Sequence, residues 1–195
     1  MKLNIPNSLT LLRIALTPVF IIFLFYDHPY AKLWALTVFL IASITDALDG
    51  YYARKHDQIT DQGRFLDPLA DKILVISALI SFAVLEIIPY WMVALIVFRD
   101  LFITGLRMVM NNKGFQMVTS NVAKAKTSFQ LAIIVTILFY LGFSKVPLDS
   151  LTDLIHFIRD YDLIYFLTLI VTLFTAFTGF SYIYENRSVI RQFLS

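Results

Sequence analysis

The sequence predicts an all-α integral membrane protein, and three observations carry that prediction. Of the 195 residues, 58% are hydrophobic and only 15% are charged, whereas soluble domains run nearer ~45–50% apolar and ~25% charged. Apolar runs long enough to cross about 30 Å of hydrocarbon recur along the chain. Acidic residues press against those runs in one place. The stretch DALDGYYARKHDQITDQGRFLDPLAD (residues 46–71) has VFLIAS just before it and ILVISALISFAVL just after it.

Six spans are expected, roughly at 8–26, 32–53, 65–86, 89–110, 121–142 and 161–184. Backbone groups in lipid must be satisfied within the segment, so each is read as a helix. The opening run MKLNIPNSLTLLRIALTPVFIIFLFY exceeds the apolar core of a signal peptide and shows no small-residue cleavage site, so it is expected to stay as the first helix. Before it, KLNIPNS reads as a short interfacial segment, with Pro6 and Asn7 suited to a helix start. The third helix is expected to begin near Phe65, which would leave Pro68 in the first turn, where its missing N–H does no harm. Pro29, Pro89 and Pro147 punctuate the loops on one side, and Trp34 and Trp91 fall where interfacial aromatics belong. Nothing divides residues 1–195 into more than one domain.

Basic residues orient the spans. With both termini cytoplasmic, Lys2, Arg54, Lys55, Arg64, Lys113, Lys124, Lys126, Arg187 and Arg191 flank the inner side, against Lys32, Lys145 and Arg159 outside. The net charge of +2 is small and scattered, which excludes a nucleic-acid surface. There are no cysteines, so any metal must be held by oxygen or imidazole. His28, His56 and His156 lack ligand-like spacing, Asp57 and Asp61 read as solvated loop charges, and Lys72 reads as snorkelling to headgroups.

Four aspartates then need an explanation. An ionised aspartate at a bilayer centre costs about 2.5–3.5 kcal/mol on insertion scales. Asp46, Asp49, Gly50 and Ala53 fall at i, i+3, i+4 and i+7, on one helix face, and Gly63, Asp67 and Asp71 fall at i, i+4 and i+8 on the next helix. A linking loop over 54–65 would make these helices antiparallel neighbours whose acidic faces meet at the cytoplasmic end. Facing carboxylates must be protonated or have cations between them. Hard divalent ions such as Mg²⁺ or Mn²⁺ take all-oxygen ligands, and four aspartates suffice to bridge two of them, a recurring device for displacement at phosphorus. From spacing alone, a proton or cation pathway through the acidic cluster stays open as an alternative, as does plain helix packing with ion pairs to neighbouring Arg and Lys.

The pattern Asp46-x₂-Asp49-Gly50-x₂-Ala53-Arg54-x₈-Gly63-x₃-Asp67-x₃-Asp71 resembles the signature of the CDP-alcohol phosphotransferases at every fixed position. The resemblance implies an integral membrane enzyme that joins an alcohol to the phosphatidyl group of a CDP-linked lipid and releases CMP. It implies that Asp46, Asp49, Asp67 and Asp71 hold two Mg²⁺ or Mn²⁺ ions and that Asp71 is also the general base. Gly50, Ala53, Arg54 and Gly63 would line the CDP-lipid site with Asn7, Thr10 and Thr60. A homodimer in the bacterial cytoplasmic membrane, with its active site facing the cytoplasm, is expected on the same ground.

NIPNSLTLLRIALTP, FLDPLADKILV, RDLFITGLR (99–107) and AKAKTSFQ resemble the branch of that family whose acceptor is sn-glycerol 3-phosphate and whose donor is CDP-diacylglycerol. This chain departs from the branch pattern at Asp100, where glutamate is commoner, and at Ala123, where glycine is commoner. A phosphate dianion needs cations, and Arg13, Arg99, Arg107, Lys124 and Lys126 are the candidates. Sister enzymes of the same chemistry, foremost one that uses phosphatidylglycerol as acceptor and forms cardiolipin, are the alternatives.

Overall fold

A computed structural model describes the backbone of residues 5–56, 61–115, 121–146 and 149–194, with side chains at 11–45, 72–115, 125–146 and 150–193. Among the described residues there are eight helices: α1 (Ile5–Phe25), α2 (Ala31–His56), α3 (Asp61–Val84), α4 (Tyr90–Asn112), α5 (Asn121–Phe143), α6 (Asp149–Asp160), α7 (Leu163–Glu185) and α8 (Arg187–Leu194). The fold is all-helical, as expected. α5 and α7 have stretches, Ala125–Phe143 and Leu163–Glu185, long and apolar enough to cross a membrane, and the outward faces are apolar too. Phe98 is 70% exposed and Phe180 76%. Contiguous exposed aromatics of that size are a liability in water and ordinary in lipid, so the surface is that of a membrane protein.

Several boundaries differ from the sequence reading. α1 already includes Ile5 to Ser8 of the expected interfacial segment, and residues 1–4 lie outside the described residues. α3 begins at Asp61, not near Phe65. Asp61 therefore opens a helix instead of lying in a loop, and Pro68 sits two turns inside it, beyond the first turn. Asp57 and Pro147 lie outside the described residues. The polar stretch DSLTDLIHFIRD, read as part of an outer loop, forms α6. Its apolar residues recur at helical spacing but are too few to register as a span, and Ile158 is buried in the common core.

The turns explain where helices stop. After α3, the N–H of Ile87 reaches the carbonyl of Phe82 and that of Glu86 reaches Ala83, with Glu86 at φ 58°. After α4, Phe115 reaches Met110 and Gly114 reaches Asn111, with Gly114 at φ 82°. Both are the paired closure that follows a left-handed residue, which glycine adopts without steric cost. Asp162 at φ 47° makes the tight corner between α6 and α7.

α1 packs on both α2 and α3, α2 on α5, and α7 on α4 and α5. α1 thus lies against both helices that carry the acidic signature. Phe20, Phe39, Phe82, Ile96, Ile134 and Ile137 form the centre of the core. The buried face of α7 is Thr168, Val171, Thr172, Thr175, Thr178, Gly179 and Tyr182, at spacings of three and four. Thr168 and Thr172 donate to the carbonyls four residues back, at 2.7 Å each, and Thr178 donates to Thr175 at 3.0 Å. Satisfied internally, these small polar side chains let helices approach closely where the bilayer supplies little hydrophobic drive.

Close approach makes a prediction at α5. A Cβ on Gly142 would lie 2.8 Å from Cδ2 of Leu33 on α2. Gly142→Leu is expected to lower the thermal midpoint of the detergent-purified protein by several degrees, reflecting about 1–3 kcal/mol of overpacking. Gly142→Ala, which asks only the end of Leu33 to move, is expected to cost clearly less.

Candidate active site

Helix geometry places the signature residues as the spacing requires. Asp46 and Asp49 lie one turn apart near the C-terminal end of α2, followed by Gly50, Ala53 and Arg54. Gly63, Asp67 and Asp71 follow one another at single-turn intervals from the start of α3. Five peptide links separate His56 from Asp61, so the two helix ends lie within roughly 18 Å of each other. Asn7 and Thr10 are in the first turns of α1, and Lys124 is in the first turn of α5. Thr60 lies outside the described residues, as do the side chains of the four aspartates, of Asn7, Thr10, Arg54 and of Lys124. Four carboxylates, with no sulfur or imidazole among them, are the donor set that hard divalent cations take, so these residue types fit a divalent metal.

One helical level deeper, the side chains form a second, well-defined arrangement around Asp100 on α4. Asp100 is only 3% exposed. Lys126 of α5, itself 2% exposed, brings its Nζ onto both carboxylate oxygens, at 2.6 Å from Oδ2 and closer still to Oδ1. Nη1 of Arg99 lies 3.3 Å from Oδ1, and Nζ of Lys72 on α3 lies 4.0 Å from Oδ2. One carboxylate thus gathers cations from three helices. Lys72, expected to snorkel away, instead turns inward, because an unneutralised Asp100 at this depth attracts the cation within reach.

Of the basic residues expected at a phosphate, Arg99 and Lys126 are brought together, but around Asp100. Arg99 also donates to Thr178 on α7 at 3.2 Å, and Gly179 makes room for it: a Cβ there would meet Cγ of Arg99 at 3.0 Å. Arg107 stands apart, two turns along α4, donating from Nε to the Tyr182 hydroxyl at 3.2 Å. Its guanidinium lies 5.4 Å from the ring centroid of that tyrosine. Arg13 is buried in α1 and borders a cleft of about 260 Å³ with Ser43, Lys72, Asp100, Thr127 and Gln130. Ser43 precedes Asp46 by one turn and Lys72 follows Asp71 directly, so this cleft adjoins the acidic helix ends. Sequence reasoning missed Gln130 and Ser43. The available signal was spacing: Gln130 is four residues after Lys126 and shares its helix face.

The sequence matches the CDP-alcohol phosphatidyltransferase family over residues 3–177. The chain belongs to that family and is an enzyme of that type. It is 41% identical over 149 residues to the CDP-diacylglycerol–glycerol-3-phosphate 3-phosphatidyltransferase of Bacillus subtilis, covering 70% of this chain and 77% of that protein. A protein of the same name from Rickettsia bellii is 35% identical over 180 residues, 92% of this chain and 93% of its own length. A probable phosphatidylglycerophosphate synthase from Mycobacterium tuberculosis is 43% identical over 114 residues, 57% of this chain and 54% of that protein.

The Asp100 network predicts a non-additive response. Asp100→Asn leaves Lys126 buried beside a neutral amide and is expected to destabilise the protein by about 3–5 kcal/mol, read as a lowered thermal midpoint in detergent. Pairing it with Lys126→Met removes the stranded cation, and the double variant is expected to be more stable than Asp100→Asn alone.

Proposed function

We propose that the chain transfers the phosphatidyl group of CDP-diacylglycerol to sn-glycerol 3-phosphate, giving phosphatidylglycerol phosphate and CMP. The observation that carries this reading is the intact aspartate signature on α2 and α3 in a chain whose relatives, one along more than nine-tenths of its length, are named for that reaction. The cationic residues support the acceptor. Arg13, Arg107 and Lys124 are the candidates to meet its phosphate, and Arg99 and Lys126, set around Asp100, hold the helices that carry them. We read the six long helices, α1 to α5 and α7, as spanning the bacterial cytoplasmic membrane. Both termini and the acidic ends of α2 and α3 then face the cytoplasm, where the basic flanks lie. A homodimer is part of the same reading.

The reaction follows from the residues. Asp46, Asp49, Asp67 and Asp71 would hold two Mg²⁺ or Mn²⁺ ions, which when bound neutralise the pyrophosphate and the charge that develops on departing CMP. Arg54, one turn past Gly50, adds a bidentate donor for a phosphate, and Asn7, Thr10 and Thr60 supply polar groups for the nucleotide. Gly50, Ala53 and Gly63 carry small or no side chains, which leaves space for the CDP group against the helices. Asp71 accepts the proton of the acceptor's primary hydroxyl as its oxygen attacks the phosphatidyl phosphorus. The new P–O bond forms as the bond to CMP breaks. Acyl chains stay in the bilayer throughout.

Purified protein in detergent, given CDP-diacylglycerol and Mg²⁺, is expected to release CMP with glycerol 3-phosphate. Phosphatidylglycerol, inositol phosphate or serine offered separately should give no release. Asp71→Asn should lower turnover by about 10²-fold or more, and a chelator should abolish it. Release with a different acceptor would retain the chemistry and overturn the acceptor. No release from folded protein with any acceptor would overturn the enzymatic reading itself.

A further inference from the structure

The cleft beside Asp100 contains a polar group that the described residues leave unanswered. Gln130 on α5 lines it, is 2% exposed, and among the described residues its Nε2 has no hydrogen-bond partner. A buried amide donor without an acceptor is rare, because its desolvation is not repaid by any bond. Its cationic neighbours cannot supply one: Arg13 and Lys72 carry only donors. The Asp100 carboxylate already accepts from Lys126 with both oxygens. Ser43, Thr127 and Asp100 also carry oxygens in this cleft, but among the described residues none of them accepts from Gln130, so its donor stands open to an oxygen that arrives with a ligand. A small polyol phosphate has such oxygens, and the surrounding cations suit its charge.

We infer that Gln130 is a specificity-determining residue, whose carboxamide hydrogen-bonds the free secondary hydroxyl of the phosphorylated acceptor while the primary hydroxyl reacts. This rests on glycerol 3-phosphate being the acceptor. The placement is consistent on two sides. Ser43 lies one turn from Asp46 and Lys72 is the neighbour of Asp71, so a molecule in the cleft can present a hydroxyl to the acidic site. Lys126, one turn before Gln130 on the same face, is clamped to Asp100, which sets the rotation of α5 and directs Gln130 into the cleft. A site built to hydrogen-bond a substrate hydroxyl rejects the analogue that lacks it, because its buried polar group is then left unpaired.

The test compares glycerol 3-phosphate with 3-hydroxypropyl phosphate, which keeps the phosphate and the primary hydroxyl but lacks the secondary one. The wild-type protein is expected to favour glycerol 3-phosphate in kcat/KM by about 10²-fold or more. Gln130→Met, which preserves side-chain length, should lower kcat/KM for glycerol 3-phosphate at least ~10-fold, mostly through KM, and leave the analogue nearly unchanged. KM for CDP-diacylglycerol and the thermal midpoint should hold. Equal losses on both acceptors, or no loss on either, would overturn the assignment while the acceptor stands. Wild-type protein that does not use glycerol 3-phosphate at all would overturn the acceptor and this inference together.

Discussion

A single buried carboxylate organises the middle of this bundle. Asp100 lies deep in α4, where ionising a lone acid would be costly, and it is retained in a cluster with Lys126, Arg99 and Lys72. Such a cluster is weak ground for stability in itself, since a hydrophobic replacement of similar volume can be as good. Its effect is on register. The three cations come from α3, α4 and α5, so rotating or sliding any one of those helices would strand a charge. That constraint reaches further through Arg99, which also bonds Thr178 and so ties α7 to the same level.

The rest of the packing is compatible with this constraint because the helices come close together. α7 presents threonines, a glycine and Tyr182 inward and places Phe177, Phe180 and Tyr184 outward. Outward aromatics lose nothing in lipid, while inward small residues shorten the distance over which Arg99 and Arg107 must reach. Arg107 and Tyr182 make a second contact between α4 and α7, two turns along α4 from that of Arg99 and Thr178. The acidic signature lies at the end of the bundle where α2 stops and α3 starts, and a polar cleft adjoins it.

Local pattern made much of this legible. Long apolar runs disclosed the helical class. The intervals between Asp46, Asp49, Asp67 and Asp71 disclosed the family signature, because a helix converts spacing into facing by its own period. Helix starts were less visible. α3 extends back to Asp61 through a polar segment that no hydropathy argument would include, and α6 is too short and too polar to read as a span. Pro68 misled for a related reason: proline is expected in a first turn, and here the helix continues ahead of it.

What the sequence determined by itself was the class of fold, the acidic signature and the family's chemistry, since all three depend on residues near one another in the chain. Tertiary structure decided which cations face which anions. Arg99, Lys126 and Lys72 are plausible phosphate ligands or snorkelling side chains when read along a helix, and only the meeting of α3, α4 and α5 turns them onto Asp100. The same meeting leaves Gln130, among the described residues, with an unanswered donor in the cleft beside Asp100. A hydrogen-bond deficit of that kind is a property of what surrounds a group, and the surroundings come from helices that are distant in sequence.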